Sequence, residues 1–397
     1  MNPDDGATPT VFEPGSGVAW PALLLKEPAL RHNADLMARF CAERGVSLAP
    51  HGKTAVSPEL WEFQERVGAW GVSVATPAQA RVFRRAGARR ILMANQLVDP
   101  AFAAWVQAEL AGDRGFEFLC YVDSVAGVRL LEAALEANGP ALPVLLEVGH
   151  PGGRTGCRTA AAVDEVARAV AASAVLALVG LAGYEGSVSH SRDPEALGAV
   201  AAYLGDVVGH FERVAGAGRL DGRASEYLLS AGGSLYFDVV AEVFGAVREA
   251  GRPVRTVLRS GAYLTHDHGL YRRLSPLGSA ADGGFIAAGE VWAQVLSVPE
   301  PGLVILNAGR RDVPYDQGLP VPLGYRRDGV LRPLEDAEVF ELNDQHAFVR
   351  TAAGAEPAVG ELVVLGTSHP CTLHDKWPRA VLVDDAYRQV GTVHSYF

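Results

Sequence analysis

Apolar and polar positions follow two alternating patterns along the first two thirds of the chain. Short, mostly apolar runs fall at 46–49, 70–75, 90–94, 116–122, 143–148, 177–183, 227–230 and 254–258. Such runs read as strands buried on both faces. Between them lie longer segments of helical periodicity, at 58–67, 77–85, 100–111, 124–138, 160–173, 194–215 and 237–250. Pro58, Pro77, Pro100 and Pro194 stand at helix starts, where a missing N–H is harmless, and Gly68, Gly87, Asn138 and Gly251 follow helix ends. Eight strand–helix units across about 215 residues predict a parallel sheet closed as a (β/α)8 barrel, with an open doubly wound sheet as the alternative.

Beyond residue 270 the helical periodicity fades. Short β-like runs at 291–298, 303–307, 338–342, 347–350, 361–365 and 380–383, punctuated by Pro and Gly, predict a second, mostly β domain. The run 22–26 reads as an extra strand that joins the N-terminus to that domain. The expected organisation is a segment 1–27, an α/β barrel over 28–270 and a β-rich domain over 271–397.

Composition narrows the function classes. The chain has 397 residues, 49% hydrophobic and 20% charged, which excludes a disordered chain or a coiled coil. Its net charge of −11 repels phosphate backbones, and the basic run 81–90 is spaced like the solvent face of a helix, so no nucleic-acid partner is expected. The uncharged run 169–184 is too short and too rich in Ala and Gly to span a bilayer, and residues 1–17 lack the basic start and apolar stretch of a signal peptide. Cys41, Cys120, Cys157 and Cys371 are scattered without CxxC spacing. A cytoplasmic protein with no membrane partner is the expectation.

A barrel carries its chemistry just after its strands. Those positions are polar and Gly-rich here: Pro-His-Gly-Lys-Thr at 50–54, Gly-His-Pro-Gly-Gly-Arg-Thr-Gly at 149–156, Tyr-Glu-Gly-Ser at 184–187, Ser-Ala-Gly-Gly-Ser at 230–234 and Arg-Ser-Gly-Ala-Tyr at 259–263. Lys53 stands out because the chain has only three lysines, Lys26, Lys53 and Lys376. A lysine in a desolvated barrel mouth has a lowered pKa and an amine available for a Schiff base. Ser230, Gly232 and Gly233 on one turn, and Ser260 and Gly261 on the next, read as two backbone N–H cradles for a phosphate, with the helix that begins near Phe237 adding its positive end. A lysine and a phosphate cradle in one barrel mouth point to pyridoxal 5'-phosphate.

These motifs, in this order and spacing, resemble the D-serine dehydratase / D-threonine aldolase family of fold-type III pyridoxal-phosphate enzymes, over roughly residues 20–390. The resemblance implies an alanine-racemase-type barrel followed by a mostly β domain, and a homodimer. It implies that Lys53 holds the cofactor as a Schiff base and takes the α-proton. Arg154 is implied at the cofactor's phenolic oxygen, either Tyr184 or Arg259 at the pyridine nitrogen, and Gly232, Gly233, Gly261 and Tyr263 at the phosphate. His51 is implied near Lys53, and His346, in the loop 343–346, facing the substrate.

The β domain adds Ser-His-Pro-Cys-Thr at 368–372. On an extended segment, His369 and Cys371 would point to one side, and imidazole with thiolate suits Zn²⁺. The family's dehydratases carry a His-x-Cys metal pair here, whereas its aldolases tend to have His-x-Asp. The resemblance therefore implies a lyase of β-hydroxy D-amino acids that uses Zn²⁺, Mn²⁺ or another divalent cation. D-serine dehydratase-like deamination to a 2-oxo acid and ammonia is the first expectation. D-threonine aldolase-like cleavage to glycine and an aldehyde, or racemisation, is the alternative. Two positions depart from many relatives: Asn307 stands where Asp is usual, and Glu185 follows Tyr184 where some have His. His266 and His268 mimic metal spacing but read as a polar turn.

Overall fold

The computed structural model describes residues 10–248, 252–278, 280–352, 354 and 356–397. Two compact units emerge. One comprises residues 37–53 and 64–261; the other comprises 1–36, 54–63 and 262–397. The division thus falls at 261 rather than 270, and the short segment 54–63 belongs with the C-terminal residues.

After the first strand, β1 (Ala22–Lys26), and helix α1 (Glu27–Arg44), the first unit contains eight parallel strands. They are β2 (Ser47–Leu48), β3 (Val72–Val74), β4 (Arg90–Gln96), β5 (Glu117–Val122), β6 (Leu142–Val148), β7 (Leu176–Gly183), β8 (Tyr227–Ala231) and β9 (Val254–Leu258). The ladder runs β2-β9-β8-β7-β6-β5-β4-β3. Trp70 N donates to Leu48 O at 2.7 Å and Ser73 N to Pro50 O at 2.9 Å, joining the two ends of that order. The curled sheet is the barrel-like one expected, and the open-sheet alternative is set aside. Ala49, Leu92, Ala94, Leu119, Tyr121, Leu145, Ala182, Leu228 and Val257 form one buried cluster, with Leu92/Ala94 and Leu119/Tyr121 two apart on the same strand face.

Local chemistry sets where the intervening helices begin. In α3 (Pro77–Arg85), α4 (Pro100–Gly112) and α7 (Pro194–Gly216), a Pro follows a capping side chain, Thr76, Asp99 or Asp193, that accepts from a first-turn N–H. Ser124 and Thr159 cap α5 (Val125–Ala134) and α6 (Ala160–Ala171) in the same way. Helix α2 spans Pro58–Arg66 and α8 spans Phe237–Gly245; the end expected for α8 at 249–250, and Gly251, lie outside the described residues. Helix α5 stops short of the expected 138. The Gln107 side chain takes the Glu136 N–H at 2.8 Å and donates to the Glu136 and Pro140 carbonyls, fixing a turn there.

The second unit is built on a mixed sheet. Its strands after β9 are β10 (Gly289–Glu300), β11 (Leu303–Leu306), β12 (Val321–Arg327), β13 (Val330–Pro333), β14 (Glu338–Leu342), β15 (Ala347–Arg350), β16 (Leu362–Gly366), β17 (Arg379–Val383) and β18 (Gln389–His394). The main order is β13-β12-β16-β10-β1-β17-β18, with β11, β15 and β14 continuing from β10. Strand β1 sits inside this sheet, antiparallel to β10 and parallel to β17. Val11, Ala22, Leu24, Trp292, Val364, Val381 and Val383 form its buried cluster. No helix among the described residues is long and apolar enough to cross a membrane.

Candidate active site

Lys53 lies in a single 3-10 turn, Gly52–Thr54, directly after β2, and its side chain is exposed. Protein atoms alone therefore do not supply the desolvation expected for it. Two residues earlier, the His51 imidazole is buried and held well below its usual pKa, first by burial and then by the positive charges of Lys53, Arg259 and Arg154. Its Nδ1 has no hydrogen-bond partner among the described residues. A neutral imidazole with an orphaned nitrogen is what a site awaiting a polar ligand leaves behind. Gly261 packs onto the same backbone: a Cβ there would lie 2.4 Å from the His51 carbonyl oxygen, so only glycine permits the approach.

The ends of β6 to β9 supply the rest of the first unit's polar groups. The Arg154 guanidinium lies over the Tyr184 ring, 4.7 Å from its centroid, and Nη2 is 3.9 Å from Glu147 Oε1. Glu147 is a buried carboxylate in the otherwise apolar β6, also held by Gln96. Arg259 is buried and committed inward, donating to Ser230 Oγ at 2.8 Å and to the Gly183 carbonyl at 2.6 Å. Ser230 Oγ in turn donates to Val257 O, and Ser260 Oγ to Gly232 O. Of the two candidates for the pyridine nitrogen, Arg259 thus already has internal partners.

The N–H groups of Gly232 and Gly233, expected as a phosphate cradle, donate to Glu185 Oε2 at 3.0 Å and Oε1 at 2.6 Å. Glu185 is fully buried, so a carboxylate already fills that nest. The anion comes from the preceding strand–helix turn, and a local reading of residues 230–234 cannot see it. The cradle centred on Ser260 and Gly261 has no such carboxylate in it among the described residues.

In the second unit His369 and Cys371 come together. His369 has extended backbone, but 3-10 turn Pro370–Thr372 follows it, so the pair meets through a turn and not along a strand as expected. The His369 ring is within hydrogen-bonding range of Cys371, and its Nδ1 is 2.7 Å from Asp316 Oδ2. Burial lowers the imidazole pKa, but the hydrogen bonds and charges of Cys371 and Asp316 outweigh it and raise the value to about 9. Cys371 Sγ lies 3.8 Å from Oγ1 of Thr54, the residue that follows Lys53. Nitrogen and sulfur donors at this spacing fit a divalent cation of the zinc type. Among the described residues no group of three or more His, Cys, Asp or Glu is placed to hold a metal, so His369 and Cys371 are the two candidate ligands described there.

The remaining predicted residues fall elsewhere in that unit. Tyr263 is buried with its ring 5.5 Å from that of Phe285. His346 is exposed in the hairpin turn between β14 and β15, its carbonyl accepting from Asn343 N. His266 is buried and His268 half-buried, with no metal-binding group around them among the described residues. Asn307 is structural, accepting from Gln294 N and donating to Trp20 O.

Comparison with known proteins gives the family. The family described as alanine racemase, N-terminal domain, matches residues 25–226, and the one described as putative serine dehydratase domain matches residues 288–383. The chain belongs to the D-serine dehydratase / D-threonine aldolase family of fold-type III pyridoxal-phosphate enzymes. Within this family it is 28% identical to a 3-hydroxy-D-aspartate aldolase of Paracoccus denitrificans (strain Pd 1222), covering 91% of this chain and 88% of that one. Its fold matches the D-threonine aldolase of Filomicrobium marinum with a TM-score of 0.78, at 28% identity and 95% coverage of each chain. It also matches the D-threo-3-hydroxyaspartate dehydratase of Delftia sp. HT23 with a TM-score of 0.76, at 24% identity, covering 96% of this chain and 98% of that one.

Proposed function

We propose that the chain is a pyridoxal-phosphate- and divalent-metal-dependent lyase of β-hydroxy D-amino acids, and that it deaminates them to a 2-oxo acid and ammonia. One observation carries the reading. His369 and Cys371 meet as a nitrogen–sulfur pair, with Cys371 Sγ 3.8 Å from Thr54 Oγ1. A racemase has no use for such a pair. All three relatives above are named for β-hydroxy amino acids or act on D-threonine. Solved forms of a D-threo-3-hydroxyaspartate dehydratase include alanine variants of a histidine and of a cysteine two positions apart, the cysteine variant in a metal-free form, and the spacing here is the same.

In this reading Lys53 anchors the cofactor, Arg154 and Tyr184 flank its ring, and Ser260 and Gly261 face its phosphate. The bound cofactor supplies an electron sink for charge left on Cα, and the metal supplies Lewis acidity at a β-oxygen. Lys53 moves the α-proton, which suits elimination. His51, neutral beside it, offers Nδ1 as a hydrogen-bonding group without adding charge. Retro-aldol cleavage to glycine and an aldehyde is the second reading, favoured by the names of the aldolase relatives. The homodimer and the cytoplasmic location implied by the family belong to the same proposal.

The test is to incubate holoenzyme with Zn²⁺ or Mn²⁺ and D-serine, D-threonine or 3-hydroxy-D-aspartate, assaying 2-oxo acid against glycine plus aldehyde. A 2-oxo acid product supports deamination; glycine as the sole product overturns it in favour of cleavage. A Lys53→Ala variant that retains the visible absorbance of covalently bound cofactor would overturn the anchor.

A further inference from the structure

We propose that Asp316 is the positioning residue of the His369/Cys371 pair, fixing which imidazole nitrogen faces the metal; this rests on the metal reading above. Asp316 uses both carboxylate oxygens on the pair's own segment. Oδ2 is 2.7 Å from His369 Nδ1, and Oδ1 accepts from Thr372 Oγ1 at 2.6 Å. One carboxylate thus grips the residue that begins 369–371 and the residue that follows Cys371.

Further contacts keep this from being a casual surface pair. Ser368 Oγ donates to Pro314 O at 3.2 Å, and Trp377 Nε1 donates to Asp312 O at 2.8 Å. The chain from 312 to 316 is therefore stitched along 368–377. The His369 side chain is mostly covered, 14% exposed against 40% for Asp316, so the ring is packed while its partner reaches it from the rim.

The chemistry follows from which nitrogen is taken. With Nδ1 donating to Asp316, the tautomer and the ring plane are set, and Nε2 is left as the lone-pair donor. A carboxylate behind a ligating imidazole raises its basicity and removes the rotational freedom that binding must otherwise quench. Loss of such a partner weakens metal affinity by about 10–100-fold. The bond from Thr372 extends the restraint to the turn that carries Cys371, so Asp316 sets both candidate donors of the site.

The test compares full-length holoenzyme with Asp316→Asn, Asp316→Ala and Thr372→Val. Zn²⁺ affinity is measured by competition with a chromophoric chelator, and Co²⁺ loading by the thiolate-to-metal absorption band. Unfolding midpoints without metal report fold integrity. The expected result is a Zn²⁺ affinity lowered about 10–100-fold in Asp316→Ala, a smaller loss in Asp316→Asn, which keeps an acceptor, and a weakened or shifted Co²⁺ band in both. Thr372→Val is expected to lose a few-fold. If Asp316→Ala does not fold, Asp316→Asn decides. Variants that bind Zn²⁺ within twofold of the wild type, with the same Co²⁺ band, overturn the positioning role. Wild-type protein that binds neither ion overturns the metal reading itself, and the assignment of Asp316 with it.

Discussion

Removing the Glu185 carboxylate tests the most unexpected contact in the first unit. Its two oxygens accept from Gly232 N at 3.0 Å and Gly233 N at 2.6 Å, and the side chain is fully buried. Glu185→Ala leaves both N–H groups without an acceptor in a place water reaches poorly. Each such group costs about 1–3 kcal/mol, so the two together cost roughly 2–5 kcal/mol, with relief from no longer burying a carboxylate pulling toward the lower end. At about 2–4 °C per kcal/mol for a unit of this size, the midpoint of thermal unfolding falls by roughly 4–20 °C. Glu185→Gln keeps one acceptor and presents an NH₂ to the second N–H, so about half that loss is expected. Thermal melts of the cofactor-free proteins followed by circular dichroism read the stability. Pyridoxal-phosphate titrations followed by absorbance read whether the turn at 232–233 still supports the cofactor. A Glu185→Ala protein that melts within about 1–2 °C of the wild type would refute the stabilising role of the carboxylate. Tighter cofactor binding by Glu185→Gln would refute it in another way, because the carboxylate would then be a competitor for amides that belong to the phosphate.

Other outcomes follow from the same structure. Burial lowers the pKa of His266 and His374 to about 4, and burial with nearby positive charge lowers that of His268 to about 3. These rings are neutral in the fold and protonate more readily in the unfolded chain. Their contribution is complete above pH 6.5 or so and is lost as pH falls from there toward 4, every tenfold difference in proton affinity between the two states being worth about 1.4 kcal/mol. Melts between pH 7.5 and 4.5 should show a steadily falling midpoint, and a flat profile would contradict the burial. Gly261→Ala must push its Cβ into the His51 backbone, whereas Gly205 in α7 has nothing within 4 Å. The first change should reduce cofactor affinity and cost about 1–3 kcal/mol; Gly205→Ala should stabilise by up to about 1 kcal/mol with activity unchanged. Urea titrations of the two variants check the contrast. Arg259→Met removes the donor to the Gly183 carbonyl and to Ser230 Oγ, which keeps its own bond to Val257 O, so it should destabilise by about 1–3 kcal/mol. The absorbance maximum of bound cofactor should hold if Tyr184 faces the pyridine nitrogen and shift if Arg259 does.

All eight barrel strands are legible because burial makes each a short, mostly apolar run, even where a charged residue such as Arg90, Glu117 or Arg255 interrupts it. Helix starts are legible because a capping side chain followed by Pro is a local signal. What escapes are β12, with Pro322, Gly324 and two arginines, the fully exposed β13, and β18, half of whose residues are exposed. These strands exist through pairing with neighbours distant in sequence, and no periodicity records that. The site divides along the same line. Lys53 is visible through scarcity and position, and His369 with Cys371 through spacing. Glu185 and Asp316 are not, because each acts on a segment roughly fifty residues away. Glu147 does carry a local signal, a lone carboxylate inside the apolar run of β6.

The place of β1 has a consequence for how the polypeptide is made. Leu24 pairs with Glu290 on one side and Val381 on the other. A strand made at residues 22–26 thus waits for both neighbours until residues 289–300 and 379–383 have left the ribosome. Until then its apolar residues are a liability, open to wrong pairing, and closure over so long a loop is slow. Trimming the N-terminus past residue 22 would not shorten an edge; it would open a gap in the middle of a sheet, and the polypeptide should then accumulate as aggregate during synthesis even with residues 37–261 intact.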